Sequence, residues 1–156
     1  MKSNTKCIFC SIINGELTSV KIYEDSLYVA FLDKYPINTG HTLVLPKKHH
    51  EDIFTMDNQE IGKLFSTVSF LAKGIVKALD ATGLNIGQNN GKAANQIVPH
   101  VHVHIIPRYN YDTPNGRWPS RNFISHEDLN KIALKIKSSL TINGIKVNHH
   151  KQDRTI

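Results

Sequence analysis

The sequence predicts an α+β domain: an antiparallel β-sheet with a long central helix and a shorter C-terminal helix. Three observations predict it. Short β-branched and aromatic runs recur along the first two-thirds of the chain, separated by Pro, Asn, Asp and Gly. From about Asn58 to Asp80 the apolar residues follow the 3.6-residue period of a helix. The run His100-Val101-His102-Val103-His104-Ile105-Ile106-Pro107-Arg108 alternates imidazole and aliphatic side chains, as an extended strand requires when its two faces do different things.

Taken in order, residues 20–24 and 27–32 read as strands, with Asp25-Ser26 turning between them. Tyr35-Pro36-Ile37-Asn38-Thr39-Gly40 is a loop by its Pro, Asn and Gly content. His41 to Leu45 is a third strand, stopped by Pro46. In the long helix, Asp57 is placed to cap the first turn and Glu60 stands three residues on, the spacing of a capping box. Ile61, Leu64, Phe65, Val68, Leu71, Ile75 and Leu79 follow the helical spacing, and Gly83 is expected to end the helix. Leu84 to Gln88 predicts a strand, Asn89-Asn90-Gly91-Lys92 a turn, and the histidine strand follows. After Arg108 the pattern weakens through Thr113-Pro114-Asn115-Gly116, and a short helix returns around Glu127 to Leu140.

A chain of 156 residues suits a single domain, 1–156, long enough to bury a core without staples. No apolar run approaches the roughly 18 residues of a membrane span. The start, Met1-Lys2-Ser3-Asn4-Thr5-Lys6, leads into no secretory apolar core, so a cytoplasmic location is expected. The formal charge of +6 comes from 19 Lys and Arg against 13 Asp and Glu. Such a balance suits nucleic acid, an anionic surface or a phosphate-rich small substrate. The basic residues are scattered, however, and only the tail at His149-His150-Lys151-Gln152-Asp153-Arg154 is locally basic. A solvated surface therefore accounts for most of this charge.

The chemistry concentrates in the histidines. Val101, Val103 and Ile105 belong on a core, so His100, His102 and His104 look into a site. At about 3.3 Å per residue, His100 and His104 stand roughly 13 Å apart along a straight strand. Two of these imidazoles could share a zinc ion, which holds its nitrogens at about 2.0–2.1 Å, but three could not. At least one is left for other work. The two cysteines, in Cys7-Ile8-Phe9-Cys10, have a spacing that in a cytosolic chain points to metal or redox chemistry rather than a structural disulfide. Free thiols remain the plain alternative, and no βαβ pattern supports a redox pair.

With these companions the chain resembles the histidine triad (HIT) family of nucleotide hydrolases and transferases, whose signature is three alternating histidines followed by apolar residues. The resemblance spans about residues 7–109 and leaves 110–156 as an extension. It includes Ala30-Phe31-Leu32-Asp33, Gly40-His41-Thr42-Leu43-Val44-Leu45-Pro46-Lys47-Lys48-His49 and Asn89-Asn90-Gly91. It implies a HIT-like fold in which His102 is the nucleophile, the backbone carbonyl of His100 orients it, and His104 contacts phosphate oxygens. A neutral imidazole, with an unperturbed pKa near 6.5, is a competent nucleophile near pH 7. Attack on an α-phosphorus would give a nucleotidyl-histidine that water resolves to a nucleoside monophosphate. The resemblance further implies a purine nucleotide (AMP) site. Ile8, Phe9, Ile12 and Phe31 would wall the base, Asp33 would accept from the ribose, Asn89, Gln96, His102 and His104 would serve the phosphate side, and His41 would be a further nucleotide-site histidine beside the triad. It implies a structural zinc on Cys7, Cys10, His49 and His100, with His50 an open alternative to its neighbour, and a homodimer formed through the central helix and a strand.

Three departures stand out. Asn95 replaces the glycine usual before the phosphate-loop glutamine, although asparagine tolerates left-handed backbone. Ile97 stands where some relatives have a phosphate-binding serine, and Lys34 where some have an aliphatic residue against the base. Trp118 and Arg117 are candidates to touch the leaving group, with surface packing the plainer role for both. Competing classes are a nucleotide-binding regulatory module with little turnover, metal-dependent hydrolysis on the triad, and nucleic-acid end processing. The last is disfavoured because no second Cys/His cluster follows the triad.

Overall fold

The computed structural model describes residues 7–113, 118–142 and 145–146. A one-and-a-half-turn helix, α1 (Ile8–Ile13), precedes strands β1 (Lys21–Glu24), β2 (Tyr28–Leu32) and β3 (Thr42–Pro46). The long helix α2 (Asn58–Leu79) follows, then β4 (Gly83–Gln88), β5 (Val103–Arg108) and α3 (His126–Ser139). A short hairpin, β6 (Thr141–Ile142) and β7 (Ile145–Lys146), closes the described chain. The main sheet has five strands in the order β1-β2-β3-β5-β4, and every neighbouring pair is antiparallel. The predicted α+β architecture is the observed one.

The capping box at Asp57 forms as expected: its carboxylate accepts from Glu60 N while the Glu60 carboxylate accepts from Asp57 N. The other end differs from expectation. The helix stops at Leu79 because Asp80 takes the left-handed conformation, at φ 51°, and Gly83 instead opens β4. A short polar side chain tolerates that conformation better than most, so the terminator was an aspartate and not a glycine. Leu64, Val68, Leu71 and Ile75 are buried as their spacing predicts, whereas Phe65 remains 40% exposed. Strand β3 takes in Pro46 as its last residue, opposite Tyr28, where the missing N–H costs nothing further along the ladder.

The sheet has two apolar faces of unequal size. One packs Ala30, Leu32, Val44, Val101, Val103 and Ile105 against α2 and α3. The other carries Val29, Phe31, Leu43 and Leu45, covered by Phe9 and Ile12 of α1. Residues of β2 and β3 alternate between the faces. Continuing that alternation past the strand ends puts Asp33 and His41 on the same side as Phe31 and Leu43. His104 lies opposite Leu43 in the ladder and shares its face. One surface therefore collects Phe31, Asp33, His41 and His104 through nothing more than strand periodicity.

Candidate active site

The histidine run departs from a plain strand at its start. The ladder of β5 begins only at Val103. Ahead of it His100 N–H turns back to Val98 O at 2.8 Å, and Val101 N–H donates to His50 O at 2.7 Å. The alternation nonetheless holds, since Val101, Val103 and Ile105 are wholly buried in the main core. The three imidazoles thus leave the opposite face at different depths, and each finds different partners.

His102 Nδ1 lies 2.7 Å from the backbone oxygen of His100. A carbonyl only accepts, so Nδ1 carries the proton and Nε2 is a free lone pair. Burial holds the His102 pKa below its ordinary value, against the opposing pull of that carbonyl and of Asp33, so the imidazole is neutral at pH 7. Phe9 packs edge-on to this ring, with centroids 5.0 Å apart, and also to Phe31 at 5.8 Å.

A second chain of bonds fixes His104. Ile37 N–H donates to His41 Nδ1 at 3.1 Å, which leaves the His41 proton on Nε2. That proton is directed at His104 Nδ1, 2.9 Å away, so His104 keeps its own proton on Nε2. Burial pushes both rings down to about 4, and both are neutral near pH 7. With His41 neutral, the 3.6 Å approach of Asp33 to its Nδ1 is not an ion pair. The pair of triad rings, 5.0 Å apart, thus offers one lone pair and one N–H to the same region.

His100 does something else. Its Nε2–H donates to Pro46 O at 2.8 Å, so Nδ1 is the bare nitrogen. Burial lowers this imidazole to about 4, which keeps it in the form a metal binds. Its Nδ1 lies 3.5 Å from Cys7 Sγ and 3.6 Å from Cys10 Sγ, and His49 Nδ1 lies 3.3 Å from Cys10 Sγ. A tetrahedral zinc with Zn–S near 2.3 Å and Zn–N near 2.0–2.1 Å separates its sulfur and nitrogen ligands by about 3.6 Å. The four donor atoms lie within 4.8 Å of one another and match that set in type and spacing. The Cys10 thiol is pushed up to about 11 by burial and by Cys7, a pair that a dication would deprotonate. His50 turns away from this cluster, its Nδ1 on Thr55 O at 3.2 Å and its Nε2 3.4 Å from Glu60.

The remaining expected residues divide. Phe9, Ile12 and Phe31 are buried in the smaller apolar cluster, while Ile8 is 49% exposed and stands outside it. Gln96 is buried, but its amide spans Gly91 N and Glu51 O, both at 2.6 Å, so the side chain braces the 91–96 loop. Asn89 donates to Asn95 O at 3.4 Å. Asn95 takes the left-handed conformation at φ 61°, as its place in the glycine position requires. Ile97 is 91% exposed. Trp118 lies against the Arg108 guanidinium, 5.0 Å from ring centre to carbon, and Arg117 lies outside the described residues, as do Met1–Lys6 and the basic tail. Sequence reasoning missed Arg121, whose Nη1 donates to Asp33 Oδ2 at 2.8 Å. It also missed the Pro46 carbonyl and the Ile37 amide, which select tautomers of His100 and His41. No local sequence signal marks any of the three.

The sheet thus brings one bare imidazole nitrogen and one proton-bearing imidazole to a common surface, beside the Asp33 carboxylate. The chain belongs to the HIT domain family, whose model matches residues 14–111. It is similar to a hypothetical histidine triad nucleotide-binding protein from Sulfolobus tokodaii strain7, with 40% identity, a TM-score of 0.79, and coverage of 86% of this chain and 91% of that one. A Zn-bound histidine triad family protein from Mycobacterium smegmatis matches with 32% identity and a TM-score of 0.76 over 87% of this chain and 94% of that one. Among curated relatives, the adenosine 5'-monophosphoramidase hnt1 of Schizosaccharomyces pombe is 38% identical over 86% of this chain and 98% of its own length. No helix among the described residues is long and apolar enough to cross a membrane.

Proposed function

We propose that the protein is a nucleotide hydrolase or nucleotidyl transferase. It cleaves the α-phosphate bond of a nucleoside phosphate derivative, such as a dinucleoside polyphosphate or a nucleoside phosphoramidate, and releases the nucleoside monophosphate. The observation that carries this reading is the 2.7 Å contact of His102 Nδ1 with the His100 carbonyl, which frees Nε2. The Nε2 lone pair attacks phosphorus, the bond to the leaving group breaks with its electron pair, and that group takes a proton from solvent. Water then attacks the nucleotidyl-histidine, the P–N bond breaks back to His102, and the water's proton leaves. The His104 Nε2–H donates to the phosphate oxygens on which charge builds. The name of the fission-yeast relative supports an AMP-containing substrate with an amine leaving group. Adenosine phosphoramidate, diadenosine polyphosphates and nucleotide sugars, each incubated with the enzyme, test the reading. Release of the nucleoside monophosphate from at least one class supports it, and release from none overturns it.

In this reading Asp33 reads the sugar. A carboxylate accepts from both the 2′ and 3′ hydroxyls, and a hydrogen bond to a charged group contributes about 1.5–3 kcal/mol. Loss of one hydroxyl should weaken binding by roughly one to two orders of magnitude. Asp33→Ala should weaken AMP and narrow the gap to dAMP. Calorimetric titration of both nucleotides decides it, and equal wild-type affinities would show that Asp33 does not read ribose.

Zinc on Cys7, Cys10, His49 and His100 would be structural, tying α1 to the triad and fixing His100. Its four protein ligands leave no open position for substrate. A cytoplasmic location fits that role, since a reducing compartment keeps both thiols available to the metal. A homodimer through α2 and β4 is supported by β4 lying at the sheet edge, with Ile86 48% exposed, and by the exposed Phe65 on α2. Light scattering should give twice the chain mass; a single-chain mass at micromolar concentration removes the dimer.

A further inference from the structure

Beyond the family match the chain doubles back onto the site. Asn122 N–H donates to Pro36 O at 3.4 Å and Ile124 N–H to Lys34 O at 3.1 Å, so this stretch runs beside the loop that follows Asp33. The Phe123 ring rests near Tyr35, with centroids 5.7 Å apart, and the Lys34 ammonium sits 5.5 Å and 5.8 Å from the two ring centres. Lys34 is thereby occupied by aromatic faces. At its far end the stretch is held by α3, which Ser125 caps and whose Leu129, Ala133 and Ile136 are buried. Between these anchors Arg121 Nη1 reaches Asp33 Oδ2 at 2.8 Å and Tyr35 O at 2.7 Å.

We propose that Arg121 is a specificity-determining positioning residue, which acts through Asp33 to hold its carboxylate ready for a ribose diol. The inference rests on the reading of Asp33 given above. Each carboxylate oxygen accepts up to about two hydrogen bonds. Oδ1 takes Tyr35 N–H at 2.8 Å and Oδ2 takes Arg121. Among the described residues that leaves one acceptor position on each oxygen, the number a cis-diol fills. The Asp33 side chain is only 14% exposed. A carboxylate so enclosed needs a compensating cation, and the guanidinium is also the second of the two fixed contacts that set its rotation. Without Arg121 the group keeps one backbone contact and turns toward water, so ribose must then order it on binding. The guanidinium also adds to burial in keeping His41 and His104 low, offsetting the carboxylate beside them.

Titration of AMP and dAMP into wild type, Arg121→Gln and Arg121→Lys, with steady-state kinetics on the best substrate, tests this. Arg121→Gln should weaken AMP by about 3- to 10-fold, the loss of part of one charge-assisted contact. It should move dAMP by less than about twofold, so the AMP/dAMP ratio narrows, with the kinetic loss in KM rather than kcat. Arg121→Lys, which restores the charge without the second fixed contact, should recover part of the ratio. A merely structural strap would weaken both nucleotides alike and leave the ratio at its wild-type value, which would overturn the proposal. So would tighter AMP binding in Arg121→Gln, since the guanidinium would then be competing with ribose. A wild-type ratio of one is read without any variant, and it removes the Asp33 reading and this proposal together.

Discussion

His102→Asn should abolish turnover while leaving nucleotide binding largely in place. The His102 ring is held by the His100 carbonyl at 2.7 Å, which directs its bare Nε2 away from the backbone. Asparagine can keep a donor toward that carbonyl but has no nucleophilic nitrogen to present. Removing a nucleophile from a covalent mechanism costs roughly four orders of magnitude or more in kcat. His104, His41 and Asp33 are untouched by the change, so most of the proposed contacts with the nucleotide should remain. Rapid quenching of wild type with radiolabelled substrate should trap a phosphorus–nitrogen adduct, acid-labile and absent from the variant. Full activity in His102→Asn, with no adduct on the wild type, would remove the covalent mechanism.

The second large effect is on stability. Freshly purified, untagged protein should contain about one zinc per chain, and Cys7→Ser should lower the Tm substantially. The four donors converge from α1 and its N-cap, the loop after β3 and the approach to β5, so an ion held there would join segments 93 residues apart in sequence. Metal binding by such a set contributes directly to folding free energy. In a domain of this length each kcal/mol moves Tm by about 2–4 °C, and loss of a structural metal costs several, so a fall of roughly 10 °C or more is expected. Activity should fall as well, because His100 supplies the carbonyl that orients His102. His50→Ala, by contrast, should retain the zinc, since that ring faces Thr55 and Glu60. Elemental analysis finding no zinc, with a Cys7→Ser melting curve that overlays wild type, would dispose of the site.

The two effects meet at one residue. His100 turns its side-chain Nδ1 to the cysteine cluster and its backbone oxygen to His102. A disturbance of α1 that shifts Cys7 or Cys10 therefore reaches His102 through His100, and also through Phe9, which packs on the His102 ring.

What the chain determined by itself was everything that depends on local periodicity. Alternation placed the valines of the triad in the core and the imidazoles opposite them, and that holds even at His100 and His102, which lie outside the ladder. The Asp57–Glu60 spacing specified the start of α2, and Cys-x2-Cys specified a paired donor set. These features need only the backbone within a few residues. The helix α2 ends within a residue of the expected Asp80, but its left-handed stop is Asp80 itself and not Gly83, a choice between two residues that both tolerate it. Phe65 kept the helical spacing and still emerged exposed, since periodicity gives a direction but not what lies in that direction.

Only the tertiary structure decided which nitrogen of each histidine is free. That choice belongs to acceptors and donors far away in the chain: the Pro46 carbonyl for His100, the Ile37 amide acting through His41 for His104. It likewise separated His49 from His50, which are indistinguishable by spacing but diverge because successive side chains point apart. The pairing of Arg121 with Asp33, 88 residues apart, has no sequence signature at all. A strand's alternation is written in consecutive residues, whereas a proton's position is written in whatever the fold brings within about 3 Å of it.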